Sequence, residues 1–279
     1  LEVLRETPVS LSLDGNLGFG LLVGPEAMRR TIAKAKETGV CMTTVRRSNH
    51  FGIAGTYACM AAAEGLGGMA ATNSTRLVVP TNAREPRLGT DPLAFAVPTS
   101  GDPFVLDMST STVAWGKIEI ARRAGLPIPE GWAVDRDGNP TTDPQDQKRG
   151  GVLLPFGAHK GSGLAFMVEA LAGGLTGVGC APLPTYTSDF GTVLTALNVE
   201  AFLPLAEYRQ MMDDLIEAIK AGRPAPGVEE ILVPGESEWR SREERLRNGL
   251  ELPEATWQRV VDAAERCGVR IPEVVQPTE

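Results

Sequence analysis

Two histidines, His50 and His159, are the only imidazoles among 279 residues. Proton chemistry near neutral pH therefore has few owners, since histidine exchanges its proton at roughly pH 6.5. His50 lies in Arg46-Arg47-Ser48-Asn49-His50-Phe51-Gly52, after an expected strand and before an expected helix. That is the point at which α/β folds bind ligands. Gly52 allows close backbone approach, and the helix beyond it offers N–H groups to a phosphate. On position alone, His50 reads as a site residue or as a satisfied structural histidine, and both stay open. His159 leads through Lys160 into Gly161-Ser162-Gly163. A cation and flexible amides at a helix start suit a phosphate or pyrophosphate.

Other polar residues fall at similar places. Asn73 and Ser74 follow a short apolar strand, and Thr90 and Asp91 precede another, with Arg84 and Arg87 nearby. Either arginine taken singly reads as a solvated loop residue. Asp107, Met108 and Ser109 end a further strand, with Lys117 one helix later, and Gly235 marks a turn with Arg240 in reach of an anion. Several phosphate-competent turns suggest an extended nucleotide. The familiar signatures are missing. Gly15, Gly18 and Gly20 have the spacing G-x-x-G-x-G, the reverse of the dinucleotide fingerprint, and are expected in a turn-rich hairpin. There is no G-x-x-x-x-G-K-[ST] loop and no G-x-S-x-G elbow. The two histidines lack zinc-motif spacing, so no metal site is expected.

The elements that must position these residues follow from periodicity. Pro25, Met28, Ile32 and Ala35 predict a helix ending at Gly39, followed by a strand over 40–45. A helix over about 54–64, strands over 69–72, 92–97 and 104–107, and a helix over about 112–124 come next. Residues 126–151, rich in Pro and Gly with an Asp135-Arg136-Asp137-Gly138 turn, read as loop. A helix from 160 to about 175 and a strand over 193–197 follow. Tyr208, Met212, Leu215, Ile216 and Ile219 then mark one helix face. A strand over 230–233 and two helices close the chain, one with a capping box at Ser241 and Glu244, one over 253–267. Strands alternating with helices make an α/β protein.

The net charge of −8 argues against a nucleic-acid surface. No apolar run approaches the roughly 18 to 20 residues of a membrane span, and no signal pattern is visible, so cytoplasmic residence is expected. Four cysteines without C-x-x-C pairing read as reduced thiols. The first residues, LEVLRETPVS, read as the middle of a longer sequence.

Taken together, SNHFGIAG, TNST, REPRLGTDPLAFAVP, LDMSTSTVAWGKI, IPEGWAVDRDGNPTTDP, LLPFGAHKGSGLAFMVEALAGGLTG and VPGE resemble the second-type malate and L-lactate dehydrogenases. That NAD(P)-dependent family includes ureidoglycolate and sulfolactate dehydrogenases, diketogulonate reductase and piperideine-carboxylate reductase. The resemblance covers nearly the whole chain. It implies a non-Rossmann α/β fold with a mixed sheet and flanking helices, divided into a cofactor-binding domain over 41–190 and a second domain from 1–40 with 191–279. It also implies a homodimer acting on a small molecule. NAD or NADP would touch His50, Phe51, Gly52, Ile53, Ala54, Ser74, Asp107, Met108, Ser109, His159, Lys160 and Gly235, with Arg240 near. Thr90 would touch the substrate. His50 would be the base and Lys117 a second catalytic residue, at a position that holds aspartate in some reductases of the family.

Two departures accompany the resemblance. An upstream Asp-Ser-His-Gly segment with a nearby Arg has no match, and Pro80-Thr81-Asn82-Ala83 stands where many members read Pro-Trp-Gly-Gly. On this reading about 60 to 70 residues would precede Leu1. The expected function is hydride transfer between a nicotinamide and a small 2-hydroxy or 2-keto acid. The alternative is an inactive or truncated nucleotide-binding module.

Overall fold

The structure is a computed structural model and describes residues 1–186 and 189–271. The chain forms two compact units, Leu1–Gly235 and Glu236–Glu279. In the first, a hairpin of β1 (Glu2–Thr7) and β2 (Ser10–Gly18) leads into α1 (Gly20–Thr38) and β3 (Val40–Ser48). Then come α2 (Gly55–Ala63), β4 (Leu66–Thr72), β5 (Leu93–Val97), β6 (Phe104–Met108) and α3 (Trp115–Ala124). After the short strands β7 (Ala133–Val134), β8 (Pro140–Thr141) and β9 (Val152–Leu153), α4 (His159–Val168) continues as a π-helical turn over Glu169–Leu175. β10 (Phe190–Asn198) and α5 (Leu205–Lys220) complete the unit. The second unit holds α6 (Glu236–Asn248) and α7 (Glu254–Cys267).

Seven strands form one sheet in the order β1-β2-β3-β10-β4-β5-β6. β2 and β3 run parallel and the other neighbours antiparallel, so the sheet is mixed and draws strands from both expected domains. Because β10 separates β3 from β4 and β5 separates β4 from β6, the strands β2, β3, β4 and β6 all point the same way. Their carboxyl ends, and the starts of β5 and β10, therefore share one edge of the sheet.

Side chains alternate across this sheet as the pleat requires. Cys41, Val45, Ala70, Ala94, Leu194 and Ala196 join α1 and α2 in the main core. Their neighbours Met42, Ala71, Leu93 and Val193 face the other way, onto Val168 and Ala172 of α4 and its π-helical extension. The approach of α2 is close because its inner residues are alanines and its partner strand holds glycine. A Cβ on Gly68 would lie 2.4 Å from the Ala58 carbonyl oxygen. Leu194 lies in the central strand and is 0% exposed. Leu194→Ala is expected to cost about 2–5 kcal/mol, seen as a lower urea midpoint with unchanged m-value.

Several sequence expectations need correction. The G-x-x-G-x-G segment is a strand-to-helix joint: β2 runs on to Gly18 and α1 opens at Gly20, ahead of Pro25. Asn16 and Leu17, at φ of 51° and 54°, bend the strand before it rejoins β3 through the pairing of Gly18 with Ser48. Residues 230–233 are not a strand. Ser241 lies inside α6, whose first turn carries Glu236 and Glu238 instead of a capping box. The loop over 126–151 contains β7 and β8, which pair with β9 in a small sheet ordered β8-β7-β9. The four cysteines are free thiols. Among the described residues, no helix is long and apolar enough to cross a membrane.

Candidate active site

The His50 segment leaves β3 through Arg47, at a positive φ of 52°, and turns again at Gly52, at 81°. Asp14, buried on β2, anchors the turn: its Oδ2 accepts from Arg46 Nε at 2.9 Å and Arg47 Nη1 at 3.3 Å. Burial pushes the Asp14 carboxyl up, but the Asn16 N–H and the two guanidiniums outweigh it and hold the group below its usual range. Asn49 Nδ2 donates to the carbonyls of Leu17, at 2.8 Å, and Gly18, at 3.2 Å, so the segment rests on the β2–α1 joint. The fit leaves no room for a side chain at the joint. A Cβ on Gly20 would lie 2.3 Å from the Asn49 oxygen and 2.4 Å from the His50 oxygen.

His50 itself is exposed. The edge-on ring of Phe190 stands 6.1 Å away at 81°. Gly52 N–H donates to His50 Nδ1 at 3.2 Å. A ring that accepts at Nδ1 carries its neutral-state proton on Nε2. Phe51 and Ala54 are buried in the main core, Phe51 stacking on Tyr57 at 4.7 Å, so only their backbones can meet a ligand. Ile53 is 71% exposed.

The free N–H groups expected at the start of α2 are already engaged. Asp107 Oδ2 accepts from Gly55 N at 2.7 Å. The amides of Thr56 and Tyr57 donate to Ile53 O and Ala54 O at 3.2 and 3.1 Å. The anion at this positive helix end is thus the protein's own carboxylate.

A second network joins the other segments. Ser74 Oγ accepts from Thr90 N at 2.8 Å and sits 3.2 Å from Thr90 Oγ1. The Thr90 carbonyl accepts from Thr110 N at 2.8 Å and Thr110 Oγ1 at 2.9 Å. Phe156 N donates to Thr110 O at 3.1 Å, and Gly161 N to Phe156 O at 2.8 Å. Here too glycine permits the contact, since a Cβ on Gly161 would lie 2.5 Å from Thr110 O. The chain of bonds brings His159 and Lys160, both exposed, to the edge that holds Ser74, Thr90, Met108 and Ser109. The amides of Lys160 and Ser162 are taken by Gly157 O and Ala158 O, each at 3.2 Å. The side chains at this helix start, and not these amides, are what a phosphate would meet.

Beneath that pair lies a residue that sequence reasoning placed only as the neighbour of Thr90. Asp91 Oδ1 accepts from Ser74 N at 3.0 Å and Oδ2 from Gly89 N at 3.2 Å. Burial, with Glu169 nearby, pushes its carboxyl up to about 8.

The remaining candidates stand apart from these networks. Lys117 is exposed on α3, whose Ile118 enters a second core with Val78, Leu88 and Leu153. Among the described residues, Lys117 forms no ion pair and no side-chain hydrogen bond. Gly235, at φ 93°, lies against β6, where a Cβ would be 3.1 Å from Val105 backbone atoms. Arg240 belongs to the second unit and pairs with Glu236 at 2.7 Å. Arg87 pairs with Glu85 at 2.6 Å. Among the described residues, no group of three or more His, Cys, Asp or Glu side chains is placed to hold a metal ion.

One edge of the mixed sheet thus gathers hydroxyls, two exposed histidines and a lysine, and the chain belongs to the malate/L-lactate dehydrogenase family, which it matches over residues 1–261. It is 42% identical over 280 residues to malate dehydrogenase of Pyrococcus horikoshii, covering 96% of this chain and 78% of that one. To L-sulfolactate dehydrogenase of Methanocaldococcus jannaschii it is 38% identical, covering 99% and 81%. Among solved structures, malate dehydrogenase from Entamoeba histolytica superposes with a TM-score of 0.92 at 31% identity, covering 98% of this chain and 81% of that one. The Pyrococcus horikoshii enzyme gives 0.86 at 39%, covering 96% and 77%. The chain is an oxidoreductase of hydroxy and keto acids, and its relatives do not favour an inactive binding module.

Proposed function

We propose that this protein oxidises and re-forms a small 2-hydroxy acid of the malate, lactate or sulfolactate type, using NAD or NADP. The observation that carries this reading is the shared sheet edge, where the ends of β3, β4 and β6 present His50, Ser74 and Ser109 beside Thr90, His159 and Lys160. Such a set of hydroxyls and cations fits a dinucleotide, with His159 and Lys160 toward phosphate and Ser74 and Ser109 toward neutral polar groups. A bound nicotinamide supplies the hydride acceptor or donor, and that chemistry is the cofactor's own.

The chain's own residues position the substrate and move the proton. Thr90 Oγ1 binds a substrate oxygen. His50 meets the C2 oxygen through Nε2. With Gly52 N–H on Nδ1, Nε2–H donates to that oxygen and orients it. To take the hydroxyl proton, the ring must carry hydrogen on Nδ1 instead and release Gly52. The bond given up is a long one, at 3.2 Å. Lys117 enters as a second catalytic group on the family resemblance, as do Gly235 and Arg240 as cofactor contacts. A homodimer in the cytoplasm is the expected setting. Phe19, Leu22 and Ile53 leave large apolar side chains 60%, 73% and 71% exposed, which contact with a second copy would cover.

The deciding measurement follows nicotinamide absorbance with malate, lactate, ureidoglycolate and sulfolactate, each with NAD and NADP. We expect turnover with at least one pair. Silence with all eight combinations of intact, folded protein would overturn the reading.

A further inference from the structure

Asp91 is buried with no exposed surface, yet it is an L-residue at a φ of 36°. Side chains enter that region when their surroundings over-determine it. Its two oxygens fasten the amides of Ser74 and Gly89. Glycine at 89 is what lets the knot close, because a Cβ there would lie 2.3 Å from both Asp91 Oδ1 and Ser74 Oγ. The groups that face this carboxyl are themselves acids. Glu169 comes from the π-helical turn, and Cys180 and Tyr186 from the loop after it, with Asp189 facing Tyr186. Glu169 is 3% exposed; its Oε2 accepts from Ala181 N at 3.0 Å, Asn73 beside it favours the charged form, and its Oε1 is buried without a close hydrogen-bond partner among the described residues. Among the described residues the buried Tyr186 hydroxyl has no hydrogen-bond partner either. Among the described residues Asp91 forms no ion pair with a cationic side chain.

We propose that Asp91 is a positioning residue for the reaction: its two amide hydrogen bonds set the Ser74 and Thr90 hydroxyls in register, and the nearby buried carboxyl of Glu169 makes that register depend on pH. The inference rests on the reading of this edge as the cofactor and substrate site. Two carboxylates in a dry interior with no cation cannot both ionise cheaply. Burial pushes both groups up, Asp91 to about 8. At neutral pH the cluster therefore keeps a proton. When Asp91 ionises, the second charge is relieved by separating the segment from Glu169, and Ser74 and Thr90 move with it.

The test uses the full chain between pH 6 and 9.5 and two readouts: the Kd for NADH and NADPH by fluorescence, and hydrogen exchange of residues 73–91 corrected for the intrinsic rate. Asp91→Asn preserves shape and one acceptor but cannot ionise. In the parent protein, binding should weaken above pH about 8, approaching tenfold per pH unit, and exchange of 73–91 should rise with it. Asp91→Asn should flatten both curves, whatever its effect on basal turnover, because the side chain can no longer ionise. Asp91→Ala should raise Kd and KM about tenfold at every pH with a much smaller change in kcat. Glu169→Gln should flatten the alkaline step as well, since ionised Asp91 then meets no second charge to drive the segment away. If Asp91→Asn keeps the parent's alkaline loss, or Asp91→Ala binds like the parent, the positioning role is wrong while the functional reading stands. If neither nucleotide binds yet the exchange step depends on Asp91, the functional reading fails and the clamp remains.

Discussion

Replacing His50 by glutamine lowers turnover by about 100- to 10,000-fold and leaves the nicotinamide Kd within about threefold. Glutamine fills a similar volume and still offers an N–H toward a substrate oxygen, so orientation survives. It cannot take a proton and return it, so the step that needs a base is lost. Steady-state kinetics beside fluorescence titration separate the two effects. An equal loss in turnover and cofactor affinity would leave His50 as a cofactor contact and move the proton step elsewhere.

Gly20→Ala should lower kcat/KM by about 100-fold, the penalty attached to misplacing a catalytic group by an ångström. The new methyl would sit 2.3 Å from the Asn49 oxygen and 2.4 Å from the His50 oxygen, and both are backbone atoms. Neither can swing aside as a side chain would, so the His50 segment must lift from the β2–α1 joint. Gly101→Ala, at the opposite sheet edge with nothing within 4 Å of its Cβ position, is the control and should behave as the parent. A Gly20→Ala protein with unchanged kcat/KM would show that the joint does not position His50.

These expectations depend on contacts that residue patterns announce unevenly. The strand before His50 was legible because Val40 to Val45 is a short apolar run bounded by Gly39 and a polar turn. The strands from Met69, Pro92 and Phe104 were equally plain. The first hairpin was not seen, although Leu11 and Leu13 alternate with polar residues in the period-2 pattern of a half-buried strand. The glycines that follow have the composition of a turn, and what they do is admit the His50 segment, a contact between residues about thirty positions apart. The supposed strand over 230–233 failed because a short apolar run is a strand only if a neighbour pairs with it, and the neighbour is invisible in a local window.

The site shows the same division. The common edge of His50, Ser74, Thr90 and Ser109 is legible because each follows or precedes a strand, and strand ends converge in α/β proteins. Asp107 was placed at the edge, but its bond to Gly55 was not foreseen: it turns an apparently vacant helix end into an occupied one. Asp91 and Glu169 lie far apart in sequence, and an acid in the interior has no local signature. Glu169 in particular follows Ala165 and Val168 at helical spacing on the buried face, and its being an acid hides that placement.

The central place of β10 has a temporal consequence. β3 and β4 are neighbours in sequence but not in the sheet; the strand between them begins at Phe190 and also supplies the ring beside His50. During synthesis, at about 5–20 residues per second, the chain through β4 waits on the order of ten seconds before its missing partner is made. Until then two sheet edges are open to other chains. Closure of the sheet, burial of those edges and delivery of Phe190 to His50 are one late event, so a nascent chain gains the surroundings of His50 and its resistance to aggregation together.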